Sequence, residues 1–190
     1  MTRHRIEVDL PDWLDDVMET SAVLRSREER MGAAVDLARR NIVEGTGGPF
    51  GALVVERDSG RLVAAGVNLV MASHNCTAHA EMVAIELAER RVGDFDLGAV
   101  DAGLELVSSV DPCAMCLGAV VWSGVSSLVC GAPSSAAAAV GFDEGPRPDD
   151  WVAALECRGI QVVRGVAADA ASSVLAAYAE GGGTVYNPSR

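Results

Sequence analysis

Apolar positions recur at helical spacing over residues 28–43, where Met31, Val35, Leu37, Ala38 and Ile42 are interleaved with charged positions, so an amphipathic helix is predicted. Gly45-Thr46-Gly47-Gly48-Pro49 ends it. Two apolar runs, residues 50–56 and 61–67, flank Asp58-Ser59-Gly60 and read as a β-hairpin. Helices and strands then alternate. A helix over 79–91 places Met82, Ile85 and Ala88 on one face, and a short strand follows over 104–108. Pro112 opens a helix over 113–122, since a first-turn proline sacrifices no helical hydrogen bond, and residues 126–130 form the next strand. The stretch 131–150 is broken by Pro and Gly, and its Ala136-Ala137-Ala138-Ala139 run reads as a close-packed turn or helix. A helix over 151–157, stopped by Gly159, a strand over 160–166 and a closing helix over 169–180 complete the pattern.

The order α-β-β-α-β-α-β-α-β-α predicts an α/β fold. Strands joined through helices run parallel with right-handed crossovers, so the hairpin and three such units make a mixed five-stranded sheet in a three-layer α/β/α sandwich. The domain spans residues 26–180. Residues 1–25 read as an N-terminal extension, with a strand over 6–10 and a short acidic helix over 13–20, and residues 181–190 as a C-terminal tail. Length and composition fit one domain: 190 residues, 49% hydrophobic and 22% charged. No apolar run is long enough for a membrane span, and the N-terminus lacks a secretory apolar region, so a cytoplasmic protein is expected. The net charge of -12 opposes contact with phosphate backbones, which argues against nucleic acid and for a small-molecule partner.

Five cysteines without a signal segment argue against a disulfide framework. Cys130 and Cys157 sit in apolar surroundings and read as core residues. Cys113 and Cys116 lie one turn apart at a helix start, and His79 starts another helix; an imidazole and two thiolates are good zinc ligands. Three protein ligands leave a fourth position for water, whose pKa zinc lowers toward neutrality. Glu81, two residues beyond His79, points away from it and is placed to carry protons as acid and base. H-x-E followed by P-C-x-x-C is a zinc-deaminase signature in which the Glu is a proton shuttle and not a ligand. A structural alternative stays open: Cys76, three before His79, would close a non-catalytic Cys3His site.

His79-Ala80-Glu81 with Pro112-Cys113-Ala114-Met115-Cys116 resembles the cytidine deaminase superfamily. The flanking Gly47-Gly48-Pro49-Phe50-Gly51-Ala52, Asn68, Cys116-Leu117-Gly118-Ala119 and Gly141-Phe142-Asp143-Glu144 resemble its bacterial guanine deaminases, over residues 28–188. The Gly-Phe-Asp-Glu-Gly-Pro-Arg-Pro stretch and the Tyr186-Asn187 ending are closest to members that act on both guanine and the triazine ammeline. The resemblance implies zinc at His79, Cys113 and Cys116, Glu81 as main proton carrier, and Glu144 as a second carboxylate at the amino side of the base. It also implies Asn68 on the purine edge, Phe50 stacked on the ring, Trp122 lining the pocket and Tyr186 in the tail. In the resembling enzymes that tail closes over an active site in a dimer whose subunits exchange it, so a homodimer with a lid over residues 185–190 is expected.

From the residues alone other roles stay open. Phe50 and Trp122 suit core packing, Asn68 a turn, Glu144 a solvated loop carboxylate, His74 a loop, and the tail a frayed end. The expected activity is hydrolysis of guanine to xanthine and ammonia, with ammeline as a further substrate. Deamination of cytosine, a nucleoside or tRNA adenosine, a non-catalytic zinc module, and a degenerate deaminase fold used for protein contacts are the alternatives.

Overall fold

The computed structural model describes residues 7–20 and 22–188. Five strands form one sheet in the order β2-β1-β3-β4-β5, with β1 Gly51–Glu56, β2 Leu62–Val67, β3 Leu104–Val110, β4 Ser127–Ala132 and β5 Gln161–Val163. β1 runs antiparallel to both neighbours, while β3, β4 and β5 are mutually parallel, so β2 points the same way as β3. The mixed α/β sheet is as expected. β3 and β4 each run two residues further than the pattern indicated, and β5 is shorter, stopping ahead of Gly165 at φ 77°.

Helices cover both faces. Leu53 and Val55 of β1 point into one core with α1 (Asp12–Glu19), α2 (Arg27–Val43) and α8 (Ala168–Glu180). Ala52 and Val54 point into the other core with α4 (Ala80–Val92), α5 (Ala114–Ser123) and α7 (Trp151–Glu156). This alternation makes the sandwich three-layered. α3 (Val70–Ser73) is a single turn not foreseen in the pattern, and α6 (Ser134–Ala139) settles the alanine run as a helix. α2 opens with a capping box, Ser26 accepting from Glu29 N–H and the Glu29 carboxylate accepting from Ser26 N–H.

The N-terminal extension is not peripheral. α1 buries Trp13 and Leu14 in the first core, and Val23 bridges to Arg61 beside β2. Residues 7–10 are not a strand, and Ile6 of that expectation lies outside the described residues. Cys130 is buried as expected, but Cys157 is exposed at the C-terminal end of α7. Among the described residues no helix is long and apolar enough to cross a membrane.

Candidate active site

The parallel strands bring two helix starts together beyond their C-terminal ends. His79 is the N-cap of α4 and Cys113 the N-cap of α5, so both side chains leave the backbone where its free N–H groups favour negative charge. His79 Nδ1 lies 3.6 Å from Cys113 Sγ and 3.7 Å from Cys116 Sγ. A tetrahedral zinc with Zn–S near 2.3 Å and Zn–N near 2.0–2.1 Å requires N···S edges of about 3.6 Å. The donor set therefore fits that ion. Cys116 hydrogen-bonds to Cys113, and this contact, helped by His79 against the effect of burial, pushes the Cys113 thiol down to about 4. Among the described residues the three-donor group does not include Cys76, which is exposed on the wall of the adjoining cavity. The closed Cys3His alternative is thereby removed and the fourth side of the cluster is left open.

Glu81, in the first turn of α4, is buried beside these donors and accepts a 3.3 Å hydrogen bond from Ser108 Oγ of β3. Burial and the charge of Cys113 raise its pKa, with His79 opposing. Glu144 faces the same cavity from the loop after α6. Burial, Cys113 and Glu81 push its carboxyl up to about 8, against the charges of Arg147 and His79. Two carboxyls of raised pKa thus border an open metal-binding cluster.

The cavity, of about 560 Å³, is lined by all the expected site residues except Cys116, which is buried in the metal cluster behind its wall, and Trp122. Phe50 and Asn68 face each other across the open end of the hairpin, Asn68 N–H donating to the Phe50 carbonyl at 3.2 Å. Buried Asn41 holds that end shut, its Nδ2 donating to the carbonyls of Gly48 and Asn68 at 2.9 Å each. A Cβ on Gly47 would overlap the Asn68 carbonyl oxygen, which is why glycine stands there. Only Trp122 among the expected residues stands away from both the cavity and the cluster. It is 83% exposed and lies outside the cavity, because Cys116, Leu117, Val120 and Ser123 are the buried positions of α5 and Trp122 falls about 200° round the helix from Val120.

Tail residues roof the cavity over the chain's own site. Tyr186 packs on Phe142 with ring centroids 5.2 Å apart, and Phe142 also meets Phe50 at 5.0 Å and Tyr178 at 6.2 Å. Asn187 accepts from Asp143 N–H at 3.0 Å and donates to the Gly141 carbonyl at 2.8 Å. The end of the expected lid, Ser189 and Arg190, lies outside the described residues. Sequence reasoning missed Phe142 as a roof residue although it stood inside a quoted motif, whereas Asn187 fell within the expected lid. Asn41 and Ser108 carried no local signal.

Residues 24–132, more than half of the chain, match the family described as the cytidine and deoxycytidylate deaminase zinc-binding region. The chain belongs to this family. Its cofactor is zinc, in keeping with the donor set. Within the family, a guanine deaminase of Bacillus subtilis is 38% identical over 119 residues, covering 63% of this chain and 72% of that protein. The solved guanine deaminase of Nitrosomonas europaea superposes with a TM-score of 0.91 at 45% identity, covering 95% of this chain and 99% of the other. A related chain solved with 2,6-diaminopurine superposes at 0.92 with 47% identity, covering 96% and 97%. The two solved chains thus share this fold over nearly the whole length of the present chain.

Proposed function

We propose that this chain hydrolyses guanine to xanthine and ammonia, with zinc held by His79, Cys113 and Cys116. One observation carries the proposal: two carboxyls of raised pKa, Glu81 and Glu144, share a cavity with an open three-donor cluster. The guanine deaminases among its relatives, and the purine complex of one similar chain, support the choice of base. Zinc at this cluster supplies a Lewis acid that makes water acidic near neutral pH.

The chain's own residues do the rest. Phe50 stacks on the purine and the Asn68 amide pairs with its edge. Glu81 takes a proton from the attacking water and delivers it to the ring nitrogen beside C2, then takes the remaining proton from the new C2 hydroxyl and passes it to the departing amine. A C2–O bond forms and the C2–N bond to the exocyclic amine breaks, so guanine and water give xanthine and ammonia. Glu144 lies toward the amino side and assists that last transfer, while the tail excludes bulk water. Ammeline carries a similar amino-substituted carbon between ring nitrogens, and the proposal extends to it.

The uncharged surface of α5, with Trp122 exposed, supports a homodimer, and the tail over the cavity is the segment its subunits would exchange. A cytoplasmic enzyme of purine salvage or breakdown, without nucleic-acid or membrane partners, fits the acidic chain. The test is ammonia release by the zinc-loaded protein from guanine, ammeline, cytosine, adenine, cytidine and guanosine, with Glu81→Ala as control. Guanine turnover abolished in the variant is the expected result. Turnover confined to cytosine or a nucleoside would overturn the substrate, and tight zinc without any turnover would return the non-catalytic zinc module.

A further inference from the structure

The loop that carries Glu144 belongs to no strand or helix, and most of residues 143–150 are exposed. Its hold on the site therefore depends on individual polar ties. Two of these reach the same short stretch of backbone. Ala114 N–H donates to the Glu144 carbonyl at 2.9 Å, and Arg147 Nη1 donates to the Pro112 carbonyl at 3.2 Å. Cys113 lies between those two anchor points. Backbone 112–114 and segment 144–147 thus form a closed clasp around the first thiolate.

Arg147 is well placed to be the strong half of that clasp. Its Nη2 also donates to Ser134 Oγ at the start of α6, and its guanidinium sits 5.2 Å from the centroid of the Trp151 ring. Buried Asp111 lies 3.9 Å from Nη1 and is itself held by Arg164, through Nε at 3.0 Å and through Nη2, and by Ser134 N–H at 3.3 Å. The planar fork reaches the end of β3 and the start of α6 at once, a geometry an ammonium group cannot copy. Gly145, at φ 69°, packs close to the Ala114 side chain between the two ties.

We propose that Arg147 is a positioning residue that clasps the Glu144 segment to the start of α5 and so sets where the Glu144 carboxyl meets the substrate. The idea rests on the guanine deaminase reading for its kinetic consequence but not for its structural one. With the zinc-loaded enzyme, Arg147→Met is expected to lower kcat for guanine by roughly 10- to 100-fold, the scale of a misplaced reacting group, with KM changed far less. Arg147→Lys keeps the charge but not the fork and should stay impaired.

A double-mutant cycle with Glu144→Gln reads the route of the effect. If Arg147 acts through Glu144, the double variant is no slower than Glu144→Gln alone, to within about threefold. Multiplying effects, or a fall in melting temperature with kcat intact, would overturn the proposal. Hydrogen exchange at the Ala114 amide decides without substrate: faster exchange in Arg147→Met, or in Arg147→Lys if the first variant does not fold, is expected. Unchanged exchange sinks the clasp. Absence of guanine turnover in the unaltered enzyme defeats the substrate reading alone, because the exchange comparison still stands.

Discussion

Replacing Asn187 by Ala should release the tail from the active site. Asn187 supplies two hydrogen bonds to the Gly141–Asp143 backbone, each with a net contribution of about 0.5–1.5 kcal/mol. The Tyr178 hydroxyl adds one to the Thr184 carbonyl at 2.7 Å, and the Tyr186 ring packs on Phe142. Ring contact and ring burial contribute roughly 2–4 kcal/mol together. Against this, ordering the backbone of residues 184–188 costs about 1–2 kcal/mol per residue. Gains and costs are close to balance, which suits a segment that must open for substrate. Loss of both Asn187 bonds, ~1–3 kcal/mol, then shifts the closed-to-open ratio by roughly 5- to 150-fold. Chymotrypsin cleavage after Tyr186 reports the open population, and kcat/KM for guanine reports whether closure matters. Faster cleavage together with a loss of most of kcat/KM is expected. Faster cleavage with unchanged kcat/KM would refute the lid, and unchanged cleavage would refute the energetic argument.

Four further outcomes follow from the geometry. Cys76→Ser should keep zinc content and turnover unchanged, whereas Cys116→Ser should lose the metal; metal analysis after dialysis distinguishes them. The folded chain holds a proton on Glu144 up to about pH 8, while an unfolded chain releases it near the ordinary value of 4.5. Folding therefore takes up a proton at Glu144, and the Glu144 contribution to the stability of metal-free protein falls as pH rises between those values. It is opposed by the Cys113 thiol, which loses its proton on folding over the same range. Denaturant titrations across that range should show Glu144→Gln gaining stability relative to the unaltered chain as pH rises. Trp122→Glu should leave the melting temperature nearly unchanged and shift the sedimenting species toward monomer. Gly66→Ala should lower the melting temperature, with an overpacking cost of about 1–3 kcal/mol, because its Cβ would overlap the Ala80 carbonyl oxygen of α4.

The metal cluster and Glu81 were legible because their chemistry is local. His79 and Cys113 sit at helix starts, Cys116 follows within one turn, and the spacing survives any arrangement of the rest. Glu144, Asn68, Phe50 and Tyr186 were legible only through resemblance, since nothing local separates a pocket carboxylate from a solvated one. Trp122 failed for a physical reason. α5 has no charged residue, so no polar stripe indicates which side meets the sheet. The core role of Trp13 and Leu14 was hidden because an eight-residue helix gives too little periodicity to show a buried face. Asn41, Ser108 and Arg147 each tie to at least one partner 27 or more residues away in the chain, and only the folded topology joins those pairs.

Two kinds of support meet at this site. The donors of the metal cluster stand on α4 and α5, which are packed into a common core with alternate residues of the sheet. α4 lies so close to β2 that Gly66 has no space for a side chain. Moving His79 or Cys116 therefore disturbs a core, and the metal geometry inherits the rigidity of the fold. Glu144 and Tyr186, by contrast, stand on a loop and a tail held by a handful of hydrogen bonds and ring contacts. Those ties are weak enough to break for substrate entry and product release, yet they converge on residues next to the cluster. Opening the cover thus need not distort the metal site. The low local stability that the covering parts need for turnover is confined to elements that carry none of the three donors.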